Sequence, residues 1–216
     1  MTRIIAGLAG GRVLKVPKRG TRPTSDRVRE SLFGYLEAHL DGFAGLAVLD
    51  LYAGSGALGL EAISRGAGRS LLVESDRQAA AVARANATAV TGCEPALALG
   101  KPAASPSQDD RQGQAGDIGQ VSLLLGRVER VIRGPLPGEP FDLVFIDPPY
   151  DLPATALDRV LGQLAQVGHL AAGAMVLVER ATQAPAPTWP RGWMALDRRG
   201  YGETTIHFAA SSEPAG

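Results

Sequence analysis

Apolar and polar positions change period repeatedly along this chain. Residues 47–51, 70–74, 121–125, 141–146 and 173–180 are short, nearly continuous apolar runs. That is the pattern of strands buried on both faces of a parallel sheet. Segments 57–66, 76–91, 127–133 and 154–167 lie between them and read as helices. Upstream, Val28, Leu32, Tyr35, Leu36 and Leu40 fall near helical spacing, with Thr24 or Ser25 as the cap of a helix over 26–40 and Gly42 and Gly45 beyond its end. Two β-prone runs, 3–7 and 12–16, flank Gly10-Gly11 and predict a hairpin. The end, MALDRRGYGETTIHF, predicts a second hairpin turning at Gly200-Tyr201-Gly202. This alternation implies an α/β fold of the doubly wound, Rossmann-like kind. Its sheet is mostly parallel with helices on both faces, a C-terminal antiparallel hairpin closes one edge, and a small hairpin-and-helix extension precedes it. The organisation read here is an N-terminal extension over 1–40 and a main domain over 41–216. Residues 94–120, rich in Pro, Ala, Gly, Ser and Gln without periodicity, read as a mobile insertion.

Charge changes this picture. The chain is neutral overall, with 22 basic and 22 acidic residues. Residues 1–30 carry eight basic side chains (Arg3, Arg12, Lys15, Lys18, Arg19, Arg22, Arg27, Arg29) against Asp26 and Glu30. That arm is +6, so the remainder is −6. A basic arm on an acidic body fits either a polyanion held at one end or a solvated basic face. The single cysteine, Cys93, leaves no internal disulfide and suits a reducing cytosol, and no apolar run approaches membrane-spanning length. The apolar segment of the first 15 residues is too short for a secretory signal, so a cytoplasmic location is expected.

Two stretches carry chemistry. VLDLYAGSGALGLEA, residues 48–62, is a strand, a glycine turn and a helix, with Gly54-Ser55-Gly56-Ala57-Leu58-Gly59 matching G-x-G-x-x-G. Glycines permit a tight turn and close approach of the backbone to a ligand. Glu74, 20 residues after Gly54, ends the next strand, where a carboxylate accepts from ribose hydroxyls. Asp50 bears on the choice of nucleoside. A carboxylate there repels a pyrophosphate and suits a cationic amino-acid end; its competing use is bonding the turn amides. Tyr52, within the turn, either covers a ligand or packs.

The second stretch is FDLVFIDPPY, residues 141–150. An apolar strand ends in two prolines that donate no ladder hydrogen bond. Asp147 and the Pro148 carbonyl are two acceptors placed at the ligand edge of the sheet, and Tyr150 is a stacking face. An exocyclic base amine is a poor nucleophile because its lone pair is delocalised. Two acceptors on its hydrogens favour the tetrahedral geometry it needs to attack a methyl sulfonium.

With these motifs in place, the sequence resembles the class I S-adenosylmethionine-dependent methyltransferases, and among them the amino-methyltransferases with D/N-PP-Y/F. More narrowly it resembles the RsmD family of 16S ribosomal RNA guanine-N2 methyltransferases. The resemblance rests on RIIAGLAGGRVLKVP, RPTSDRVRESLF, VLDLYAGSGALGLEAISRGA, LLVESD, FDLVFIDPPY and GYGETTIHF. It implies a seven-stranded sheet and S-adenosylmethionine as methyl donor. The implied target is one guanine, guanine 966, of 16S rRNA in an assembled or assembling small subunit. By position, Asp50, Tyr52, Gly54, Ser55, Gly56 and Glu74 would hold the cofactor. Asp147, Pro148 and Tyr150 would hold the guanine, and Arg12, Arg22, Thr24, Arg27 and Arg29 would lie near RNA. The family's acid after the third strand, often in a G-D pair, is missing: the aligned pair is Gly126-Arg127, and Gly116-Asp117 precedes the strand. Backbone groups near Gly126 are the candidates for adenine contact, which the resemblance leaves unassigned.

Other residues carry less. His39, His169 and His207 are scattered without partners at ligand spacing, so no metal is expected. Trp189 and Trp193, in APAPTWPRGW, read as packing under a loop. Glu179 and Arg180 end the fifth strand on the ligand edge. Rival functions are a DNA adenine or cytosine amino-methyltransferase, an NAD-dependent oxidoreductase and a non-catalytic RNA-binding assembly factor. The first lacks a sizeable target-recognition region, and the second rests on the glycine pattern alone.

Overall fold

The computed structural model describes residues 2–17, 25–97 and 118–212. The core is an eight-stranded sheet. In chain order its strands are β3 (Ala47–Leu51), β4 (Arg69–Glu74), β5 (Ala96–Leu97), β6 (Gln120–Leu125), β7 (Phe141–Ile146), β8 (Leu170–Ala181), β9 (Met194–Tyr201) and β10 (Thr204–Ala210). Their spatial order is β5-β6-β4-β3-β7-β8-β10-β9. The pairs from β5 through β8 are parallel, and β10 runs antiparallel to both β8 and β9. The chain leaves β3 towards β4 on one side and later returns to β7 on the other. The carboxyl ends of β3 and β7 therefore form the crevice where such sheets bind ligands.

Every residue of β3 is buried, as expected of a central strand covered on both faces. On one face lie α1 (Asp26–His39), α2 (Ala57–Ser64) and α3 (Arg77–Thr91), with a core that includes Leu32, Phe33, Leu60, Leu72, Phe145 and Phe208. On the other lie α4 (Val128–Val131) and α5 (Ala154–Gln166), with Leu49, Val144, Val160 and Val176. Ser25 caps α1 by accepting from the Val28 amide; Thr24, the other candidate, lies outside the described residues. Asp76 caps α3, and Gly92 ends it in a left-handed conformation. Trp193 is buried and Trp189 packs beside it in the second core, the packing role expected of both.

Three expectations need adjustment. The resemblance implied seven strands. The eighth is β5, a two-residue edge strand inside the segment read as an insertion. Residues 94–97 and 118–120 are thus part of the sheet region, while 98–117 lie outside the described residues. The C-terminal turn is Gly202-Glu203, since Tyr201 still pairs with Thr204. The N-terminal strands are shorter than predicted: β1 (Thr2–Arg3) pairs with β2 (Val13–Leu14) only.

That shortening has a physical cause. Glu61, fully buried on α2, accepts the amides of Ile5 at 2.7 Å and Ala6 at 3.0 Å, and also binds Arg65. Ser64 Oγ accepts from the Ala9 amide and donates to the Ala6 carbonyl. These backbone groups go to α2 and not to a longer ladder. Gly7 passes so close that a Cβ would sit 1.8 Å from the Ser64 carbonyl oxygen. Asn86 on α3 accepts from the Lys15 amide and donates to the carbonyls of Lys15 and Ser55, joining the hairpin to the glycine turn. Glu61→Ala would leave two half-buried amides without their carboxylate and take from Arg65 one of its two, leaving Glu37. At roughly 1.5–3 kcal/mol for a hydrogen bond to a charged group, unfolding free energy should fall by about 3 kcal/mol. Denaturant unfolding checks this, and a loss under about 1 kcal/mol would contradict the clamp.

Candidate active site

The glycine turn is built by carboxylates that take its amides. β3 ends at Leu51, and Tyr52, Gly54 and Gly56 follow at φ 61°, 56° and 77°. Glycine adopts such angles freely, whereas for Tyr52 they are costly and must be held by the surroundings. Its hydroxyl donates to Glu129 of α4 at 2.9 Å, and its ring packs against the second core. Tyr52 therefore packs, one of the two uses weighed for it. Glu74, 9% exposed, accepts from the Gly54 amide through Oε2 at 2.8 Å, and from the amides of Ser75 and Asp76 through Oε1. Asp50 Oδ2 accepts from the Gly59 amide at 2.9 Å. Gly59 is required there, since a Cβ would lie 2.5 Å from the Leu72 side chain and 2.6 Å from Ser70 Oγ.

Asp50 is 1% exposed and serves the Gly59 amide, the competing use weighed for it. Burial pushes its carboxyl up to about 7; the Gly59 amide opposes that, and the Glu74 carboxylate adds to it. Gly126 sits beside this pair. Its amide donates to the Glu74 carbonyl at 2.8 Å, and a Cβ would meet Val131 at 2.7 Å, so the backbone alone is presented there. Ser55 is buried, and its carbonyl is held by Asn86.

Asp147 leaves the end of β7 one strand away. Its amide is tied to the Leu51 carbonyl at 3.4 Å, which links the DPPY loop to the start of the glycine turn. Pro148 is buried, and Pro149 and Tyr150 are exposed, Tyr150 by 58%. The loop closes with the Leu152 amide on the Pro149 carbonyl, and Arg180 of β8 donates from Nη1 to the Leu152 carbonyl at 3.1 Å. A small pocket opens beside Asp147 and Glu179, walled by Leu32, Leu58, Phe145, Leu177 and Ile206. Burial, then Glu179, then Asp50 hold the Asp147 carboxyl well above the usual carboxylate range. Four carboxylates, Asp50, Glu74, Asp147 and Glu179, therefore share the carboxyl edge of the sheet around one crevice.

The RNA-facing candidates divide. Arg12 and Arg27 are exposed. Arg22 and Thr24 lie outside the described residues. Arg29 is corrected: it is fully buried and donates from Nη2 to the Arg3 carbonyl at 2.6 Å and to Asp26 at 2.7 Å. It tethers β1 to α1. At the C-terminal hairpin tip, Tyr201 meets Ser31 of α1 at 3.1 Å. Sequence reasoning missed Glu61, Ser64 and Asn86. The available signal was polar residues on the otherwise apolar faces of α2 and α3, but nothing local names their partners.

The doubly wound sheet, the glycine turn and the antiparallel C-terminal hairpin define a class I methyltransferase fold. Solved structures agree. A Thermus thermophilus hypothetical protein superposes with a TM-score of 0.68 at 28% identity over 99% of both chains. An rRNA methyltransferase from Streptomyces viridochromogenes superposes with 0.63 at 20% identity, over 94% of this chain and 91% of that one. The family model described as "Conserved hypothetical protein 95" matches residues 2–115 and 111–210. The protein named ribosomal RNA small subunit methyltransferase D in Escherichia coli K12 is 34% identical over 88% of this chain and 80% of its own length. Its Haemophilus influenzae namesake is 32% identical over 91% and 87%. The chain belongs to this family, the RsmD family.

Asp50 gives the site a pH signature in the protein without ligand. Its folded pKa is raised, so the folded state keeps the proton longer than the unfolded chain. Stability is full below about pH 4 and is lost as pH rises towards 7, by at most about 1.4 kcal/mol per pH unit. Asp50→Asn keeps the acceptor for Gly59 and stays neutral. Its stability relative to wild type should climb between pH 4 and pH 7 and then level off; parallel curves would contradict the assignment.

Proposed function

We propose that this protein transfers a methyl group from S-adenosylmethionine to the N2 amine of a guanine, guanine 966, in 16S rRNA of the small ribosomal subunit. The observation that carries the reading is the DPPY loop fixed at the carboxyl end of β7, one strand from the glycine turn and tied to it through Leu51. The small-subunit rRNA named for the curated relatives supports the substrate.

The site suits this cofactor. Gly54 and Gly56 leave the turn open to close approach, and Glu74 Oε2 keeps its second lone pair for a ribose hydroxyl beyond the one given to the Gly54 amide. The clustered carboxylates select charge. A sulfonium and an ammonium relieve their repulsion, whereas a dinucleotide pyrophosphate adds to it. Gly126, its amide taken by the Glu74 carbonyl, offers its own carbonyl to the adenine amine. When bound, S-adenosylmethionine supplies an electrophilic methyl group. Asp147 accepts one amine hydrogen and the Pro148 carbonyl the other, which localises the lone pair. The raised proton affinity of Asp147 suits it to take the proton that the methylated amine then sheds. Tyr150, largely exposed, is free to stack on the base, worth about 1–3 kcal/mol.

The N-terminal extension, residues 1–40, is the RNA-binding part in this reading, with Arg12 and Arg27 at phosphates and the hairpin clamped to α2 and α3. The substrate is the assembled or assembling subunit in a bacterial cytoplasm. The target amine lies on a Watson–Crick edge, so the base is unpaired or flipped out.

Asp147→Ala should lower methyl transfer to subunits lacking the modification by about 10²–10³-fold, the usual cost of one preorganised polar group. Binding of S-adenosylhomocysteine, followed by calorimetry, should change little. A variant that binds the product normally and still transfers near the wild-type rate would remove Asp147 from the reaction.

A further inference from the structure

The functional reading uses one carboxylate of a pair. β7 and β8 are parallel, with Ile146 opposite Val178, so the next residues, Asp147 and Glu179, come side by side. Ile146 and Val178 face the second core, while Phe145 and Leu177 face the first. By alternation, Asp147 and Glu179 lie on the Phe145 side, and both line the same pocket. Ile206 of β10 pairs with Glu179 and walls that pocket with apolar surface. Two adjacent carboxylates in a largely apolar recess repel each other; burial first, and the Glu179 charge after it, raise the Asp147 carboxyl. Such a pair is matched by a ligand that presents two adjacent donors.

Among the bases that bear an exocyclic amine, guanine alone has this pattern. Its N1–H lies next to its N2 amine. Adenine places the acceptor N1 beside its amine, and cytosine places the acceptor N3 there. Resting on the functional reading above, we propose that Glu179 accepts the N1–H of the target guanine while Asp147 holds its N2 amine. Glu179 is then the residue that selects guanine over the other amine-bearing bases. Adenine or cytosine would set a ring lone pair against the Glu179 carboxylate, and the two would repel.

The test replaces the target guanine by 2-aminopurine, through ligation of a synthetic segment into 16S rRNA and reconstitution of the subunit. This base keeps the N2 amine but has a lone pair at N1 in place of N1–H. Wild type should prefer guanine in kcat/KM by about 10- to 100-fold, the weight of one charge-assisted hydrogen bond. Glu179→Gln presents an amide that can donate to the 2-aminopurine N1, so its preference should shrink by tenfold or more. Each preference is a ratio within one enzyme, so losses from folding or cofactor binding cancel. The missing O6 of 2-aminopurine affects both enzymes alike. An unchanged ratio in Glu179→Gln, or no preference in wild type, would overturn the role of Glu179 and leave methyl transfer to guanine standing. Absence of transfer to guanine by wild type would overturn the functional reading and the role of Glu179 with it.

Discussion

Glu74 Oε2 accepts the Gly54 amide at 2.8 Å, and Asp50 Oδ2 accepts the Gly59 amide at 2.9 Å. These two bonds fix the glycine turn at both ends, and the rest of the site is arranged around them. They require carboxylates buried at the ends of β3 and β4, which is electrostatically costly; the Asp50 carboxyl, pushed up to about 7, measures part of that cost. DPPY then brings a third carboxylate to the same edge, and β8 brings a fourth. An edge of that charge repels phosphates and welcomes a cation or a base offering donors. The glycine pattern by itself leaves both kinds of nucleoside open, and in the proposed function charge decides between them.

The N-terminal hairpin depends on the same region. Its backbone amides are taken by Glu61 and Ser64, and Asn86 holds Lys15 with one end and the Ser55 carbonyl with the other. A two-stranded hairpin of this size is marginal alone. Here it is part of the α2–α3 surface, so an arm carrying basic residues stands in fixed relation to the glycine turn. The C-terminal hairpin reaches α1 through Tyr201 and Ser31, so both terminal hairpins brace the helix that walls the pocket with Leu32.

Much of this was legible in the sequence. The apolar runs became β3, β4, β6, β7 and β8, and β3, β4 and β7 are buried along nearly their whole length, where polar side chains are costly. The turn and the DPPY loop stand where strand ends and prolines placed them. What escaped reading has a common cause: partners far apart in the chain. Glu61 meets Ile5 and Ala6 from 56 and 55 residues away, and nothing in the local sequence announces it. Arg29 sits among basic residues and looks solvent-facing. Only its position on α1 against the Arg3 carbonyl and Asp26 turns it inward. β5 was hidden because two residues carry no period. Glu179 was visible as a strand-end residue, but its pairing with Asp147 needs the β7–β8 register.

In the proposed function these carboxylates present an amine-bearing guanine to a methyl donor. The most direct measurement incubates the protein and labelled S-adenosylmethionine with small subunits lacking the modification, and identifies the labelled nucleoside after digestion by mass spectrometry. The account predicts N2-methylguanosine from 16S rRNA. Label on adenosine or cytidine, or none on either subunits or naked 16S rRNA, would contradict it.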